Sequence, residues 1–177
     1  MNSKARLRLI EILQQAYSGE RAAAYAYRGH WRSLRDADDR SRIRTIEGEE
    51  LHHRHLVGEM LRELGARPSA LREVRASLVG RTLGLLCYVS GWFAPMYAAG
   101  RLESRNIREY EEAARRAQAC GCEDFLPRLL AMAVVEWEHE RYFRSKVLGH
   151  PWARYFPLWE APPTKESIRA AYNKGLA

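Results

Sequence analysis

The chain lacks the features that mark several protein classes. It has three cysteines in 177 residues, Cys87, Cys120 and Cys122. So small and odd a set excludes a disulfide framework. Cys120-Gly121-Cys122 falls in a turn, without CxxC spacing or further ligands close by, so it does not read as a zinc site. No secretory leader is legible, because Met1 to Arg6 runs straight into a charged amphipathic segment, and a reduced, cytoplasmic setting is expected. No Gly-, Ser- or Pro-rich linker divides the chain. No strand-like alternation survives inspection, which excludes a sheet-based fold. The net charge is +7, yet no five Lys or Arg run together. The arginines are spread among acids along helices. This reads as solvated surface, and nucleic acid is not an expected partner.

What is present is helical periodicity. Residues 4–34 place Leu9, Ile12, Leu13, Ala16, Glu20, Ala23, Ala24 and Tyr27 on one face. The Asp-rich stretch 36–39 breaks that pattern and offers N-cap side chains. A second helix is expected over 39–65, with Ile43, Ile46, Glu50, His53, Val57, Met60, Leu61 and Leu64 in phase. Gly65 and Pro68 end it. Residues 69–81 read as a connection with some helix, and 82–118 as a third long helix, kinked or broken by Gly91 and Pro95. A fourth helix covers 123–148. An aromatic tail follows, and a short last helix opens at Thr164. The expectation is an all-α four-helix bundle of two antiparallel hairpins (1–149), with a C-terminal extension (150–177) packed on the bundle or at a membrane surface.

Two polar clusters stand out against this background. The segment GEELHHRHL contains Glu50 and His53 at a spacing of i and i+3, so one helix face presents both. The same spacing recurs in Glu136 and His139. Each pair has a lone upstream acid on the preceding helix, Glu20 and Glu103. The midpoint of Glu20 and Glu50 falls at Arg35, beside the Asp-rich turn. The midpoint of Glu103 and Glu136 falls at the Cys120 turn. In an antiparallel hairpin both pairs are therefore level to about one helical turn, ~5 Å. Tyr27 and Tyr110 each lie seven residues after their upstream acid, two turns on along the same face. The two halves read as an internal repeat. Glu49 and His52 have the same spacing as Glu50 and His53, but the stripe of Ile43, Ile46, Val57 and Leu61 favours the latter pair.

Four carboxylates and two imidazoles suit iron, with manganese the alternative. Four buried glutamates repel one another and resist desolvation, whereas two divalent ions balance their charge. One Glu-x-x-His is weak evidence. Two, with upstream acids at matching heights, are strong. Tyr27 and Tyr110 are candidates to hydrogen-bond the ligand shell or carry electrons.

These residues resemble the ferritin-like di-iron carboxylate superfamily, most closely its demethoxyubiquinone hydroxylase family. The resemblance covers about residues 10–145 and rests mainly on two stretches. One is Gly19-Glu20-Arg21-Ala22-Ala23-Ala24-Tyr25-Ala26-Tyr27-Arg28-Gly29-His30. The other runs from Glu50 and His53 to Leu64-Gly65-Ala66-Arg67-Pro68-Ser69, whose length selects His53 over His52. The resemblance implies that Glu20, Glu50, His53, Glu103, Glu136 and His139 ligate two irons, with Glu50 and Glu136 bridging. It also implies a hydroxylase (monooxygenase) that uses dioxygen on a hydrophobic substrate such as a quinone ring, at the inner face of a membrane. The basic Arg54-His55 and the extension from His150 depart from the family pattern, which bears on the substrate more than on the metal.

Thr82 to Gly100 carries no charged residue. With Gly84, Gly91 and Pro95 inside it, this stretch reads as a buried or membrane-facing helix lining an apolar channel rather than a span. Trp152, Tyr155, Phe156 and Trp159, with Arg154, suit either a headgroup layer or a wrap around the bundle. An apolar channel favours the hydroxylase over a ferroxidase or peroxide-reducing iron protein, and the chain also lacks a rubredoxin-type CxxC pair. A bundle holding a static metal is the third reading, and a homo-oligomer is left open.

Overall fold

The computed structural model describes residues 3–173. Residues 1–2 and 174–177, the ends of the expected bundle and of the expected extension, lie outside the described residues. The described residues are all-α, with no strand among them. Among the described residues six α-helices run in chain order: α1 Ser3–Ser33, α2 Ala37–Glu63, α3 Ala70–Leu86, α4 Phe93–Ala119, α5 Leu126–Leu148 and α6 Lys165–Asn173. Single 3-10 segments precede α5 (Glu123–Phe125) and follow it (Pro151–Tyr155). The chain divides into two compact units. One is Leu7–Pro95; the other begins at Met96 and includes the start of the chain up to Arg6.

In the first unit, α1 and α2 form an antiparallel hairpin. Asp36 caps α2 by accepting from the Asp39 amide at 2.8 Å, which satisfies one of the helix's free N–H groups. Gly65, at φ 66°, takes the left-handed conformation that closes the helix. Every residue of the two predicted stripes is buried. Contacts at several heights fix the register: Arg54 donates to the Tyr17 carbonyl at 2.6 Å and Arg28 to Glu47 at 2.7 Å. Glu20 and Glu50 lie between those contacts.

The crossover differs from the sequence expectation. Residues 70–86 are a full helix, capped by Ser69, and 82–118 is not one helix. α3 stops at Leu86 and α4 starts at Phe93. Gly91, at φ 74°, turns the chain between them. Pro95 falls in the first turn of α4, where a missing N–H costs nothing. The apolar stretch is therefore shared between two helices. Phe93 and Met96 are buried, while Leu85 and Val89 are 70% and 81% exposed.

α3 packs on α1 through its small residues. Ala76, Gly80 and Gly84, four residues apart, are its buried positions. A Cβ on Gly80 would collide with the Ala22 backbone, and one on Gly84 with the Tyr25 carbonyl. Polar ties reinforce the seam. Glu73 accepts from Ser18 (2.9 Å), Arg21 (2.8 Å) and Arg54 (2.6 Å), joining α3 to both α1 and α2.

In the second unit, α4 and α5 carry the C-terminal segment along their surface. The Trp159 indole N–H donates to Glu140 at 2.6 Å, and Arg144 donates to the same oxygen at 2.6 Å. Arg144 also reaches the carbonyls of Trp159 and Glu160. Gly100 leaves room for the Trp159 ring, and Tyr97 meets that ring edge-on and packs at a tilt against Phe156. α6 opens as expected, with Thr164 accepting from the Ser167 amide at 3.2 Å.

Candidate metal centre

The helices bring the six candidate ligands into two trios, one in each compact unit. In the first unit, α1 supplies Glu20 and α2 supplies Glu50 and His53. Each offers a ligand atom, all within 4.8 Å of one another. The residues are 4%, 0% and 2% exposed. His52 and Glu49, the alternative pair, fall elsewhere: His52 is exposed, and Glu49 is paired with Arg42 at 3.2 Å. The 100° step per residue explains this, because moving one position along α2 leaves the buried stripe.

In the second unit, α4 supplies Glu103 and α5 supplies Glu136 and His139. Their ligand atoms again lie within 4.8 Å of one another, and all three residues are 0% exposed. His139 Nδ1 lies 3.8 Å from Glu136 Oε2. Tyr27 and Tyr110 are buried on α1 and α4, two turns past the upstream acids.

The donor set fits metal ions better than an unmetallated core. Four carboxylates are withdrawn from water, and burial of an ionised carboxylate is costly unless cationic charge lies close by. Imidazole and carboxylate together form the borderline-hard set that divalent iron or manganese accepts.

Three polar features were not legible in the sequence as parts of the structure. Glu47 accepts from Arg28 and Trp31, each at 2.7 Å, and serves the α1–α2 hairpin. His30 is buried, and desolvation brings its imidazole down to about 4 against the opposing pull of Asp39. Asp39 in turn accepts from the Trp92 indole at 3.1 Å. Asn106, one turn past Glu103, donates to Glu103 Oε2 at 3.0 Å and to Glu136 Oε2 at 3.4 Å. Its signal was available as Glu-x-x-Asn, the spacing of the Glu-x-x-His pairs.

Comparison with known proteins adds one finding. The family model described as "Ubiquinone biosynthesis protein COQ7" matches residues 8–142. The match includes all six candidate ligands and ends before the C-terminal segment. No curated protein and no solved structure matches the chain.

Proposed function

The chain belongs to the family of the ubiquinone biosynthesis protein COQ7, a ferritin-like di-iron family whose role is hydroxylation in ubiquinone biosynthesis, and from this we propose that it is an oxygen-using di-iron hydroxylase of a quinone-type ring. The observation that carries the reading is the repeated trio: Glu20, Glu50 and His53 in one unit, Glu103, Glu136 and His139 in the other. In this reading Glu20, Glu50 and His53 would hold one iron, and Glu103, Glu136 and His139 the other. When bound, the irons supply the electrons and open positions that dioxygen chemistry needs.

The chain's own residues do the rest. The six side chains fix ligand number and geometry. Burial excludes water, so the carboxylates act in a medium of low dielectric, where their charge governs the site. Tyr27 and Tyr110 stand on the inward faces of α1 and α4, within two turns of the ligands, where a phenol can hold or pass a proton.

A membrane surface is the proposed source of the substrate. Among the described residues no helix is long and apolar enough to cross a membrane. α3, however, is arranged with small residues inward and large apolar residues outward. Leu71, Val74, Leu78 and Leu85 are each 69–71% exposed. Such a row is unfavourable in water and favourable at a lipid boundary, where each side chain contributes about 1.5–3 kcal/mol on full burial.

The test is an anaerobic Fe(II) titration of the metal-free protein, followed by admission of oxygen. About two irons per chain and a ferric charge-transfer band are expected for wild type, and Glu50→Ala should lose most of the metal. Fewer than two irons in wild type, or unchanged iron content in Glu50→Ala, removes the reading.

A further inference from the structure

The Cys120-Gly121-Cys122 turn closes α4 and contributes no ligand to the candidate metal centre. Its backbone is a helix stop of defined form. The Gly121 amide donates to the Gln118 carbonyl at 3.2 Å, and the Cys122 amide donates to the Ala117 carbonyl at 2.9 Å. Gly121, at φ 75°, takes the left-handed conformation that this stop favours. The chain therefore turns sharply at the glycine and sets the side chains on either side of it close together. Both are cysteines, both are free thiols, and their Sγ atoms lie 3.3 Å apart. Cys120 is buried and Cys122 is half-buried.

We infer that Cys120 and Cys122 are a dithiol that a small organic disulfide oxidises reversibly to an internal disulfide. The reach is right. Residues two apart separate their Cα atoms by at most about 7 Å, the outer limit for a disulfide, and the turn at Gly121 shortens that span. The two sulfurs are also unequally placed. The half-buried Cys122 can meet a dissolved disulfide, while Cys120 is shielded from it. The bond would close a loop too short to restrict the unfolded chain much, so it serves exchange and not scaffolding.

The exchange runs in two steps. The Cys122 thiolate attacks one sulfur of the small disulfide, whose S–S bond breaks and whose other half leaves as a thiol. Cys120 then gives its proton to solvent and attacks Cys122 Sγ. The internal S–S bond forms, the mixed bond breaks, and the second thiol leaves. Two protein thiols are oxidised, and one small disulfide is reduced to two thiols. Burial, with the hydrogen bond it donates to Cys122, pushes the Cys120 thiol up to about 11 against the pull of Arg6, which makes the second step the slower one.

The test equilibrates the full chain anaerobically in glutathione buffers of rising oxidised-to-reduced ratio. Reactions are stopped with acid, free thiols are trapped with N-ethylmaleimide in denaturant, and the products are placed by peptide mass mapping. Two of the three thiols should be lost together, as one Cys120–Cys122 bond that does not involve Cys87. Dithiothreitol should restore both. Cys120→Ser should stop at a glutathione adduct on Cys122. Survival of both thiols in the most oxidising buffer would overturn the inference. So would wild-type adducts on Cys120 or Cys122 that never resolve to the internal bond, or a bond from either residue to Cys87 or to a second chain. A Cys120→Ser variant left unmodified at Cys122 also overturns it, since Cys122 would not be the sulfur that meets the oxidant.

Discussion

Gly29→Ala isolates the way α3 is held. An alanine Cβ at position 29 would lie 2.2 Å from the Gly84 carbonyl oxygen and 2.3 Å from its Cα. Neither atom is the end of a flexible side chain; both belong to the backbone of α3. Restoring ordinary contact at about 3.5 Å requires the helices to part by roughly 1 Å. Parting them disturbs the whole seam, because Gly80 and Gly84 meet the α1 backbone just as closely. Overpacking of this kind costs about 1–3 kcal/mol. Against it stands the helix propensity gained by replacing glycine, about 1 kcal/mol. The expected net effect is a loss of up to about 2 kcal/mol in urea unfolding followed by circular dichroism. Gly19→Ala and Gly48→Ala are the controls. Both positions are exposed on helices with nothing within 4 Å of the added carbon, so each should gain about 0.5–1 kcal/mol. The sign therefore separates the cases. Were Gly29→Ala to stabilise as its controls do, the close α1–α3 packing would be refuted.

Further predictions concern the polar interior and the C-terminal segment. His30 is neutral when folded, with its pKa brought down to about 4 by burial, while the unfolded imidazole titrates near its ordinary value of about 6.5. Protonation thus favours the unfolded chain, so stability should be fully present above about pH 6.5 and fall by up to about 3 kcal/mol as pH drops to about 4. His30→Gln should flatten that part of the stability–pH curve, and an unchanged slope would refute the assignment. Burial raises the Glu73 carboxyl, but hydrogen bonds from Arg54, Arg21 and Ser18 outweigh it and leave it below its usual range. Its contribution is present above the ordinary glutamate range and is lost as pH falls through the lowered value. Glu73→Gln should therefore destabilise at pH 7 and become silent in acid, as read by thermal melts at both. Trp159→Ala should cost about 2–3 kcal/mol, since it empties a half-buried slot and removes a donor from Glu140. Gly100→Ala should be harmful in wild type, where its Cβ would strike the Trp159 ring at 2.4 Å, and less harmful in Trp159→Ala, where the Phe143 Cβ at 3.0 Å still crowds it. Additive costs in that double-mutant cycle would place the ring elsewhere.

The sequence by itself determined the helices and their inward faces. A 3.6-residue period selects a stripe, and the stripe through Ile43, Ile46, Val57 and Leu61 carries Glu50 and His53 with it. Capping chemistry at Asp36 and Thr164 was equally local and equally legible. Only tertiary structure decided the rest. α3 was obscure because its buried positions are Ala76, Gly80 and Gly84, and a face chosen for close backbone approach carries no hydrophobic period. The partners of Glu47, Glu140 and Asn106 lie 19 to 30 residues away in their longest contacts. A hydrogen bond across such a distance depends on where two helices meet, which spacing along one helix does not encode. Local physics wrote the candidate ligand pairs into the chain because each pair sits on one helix face. Asn106 on α4 also reaches Glu136 on α5, and only packing brings those two together.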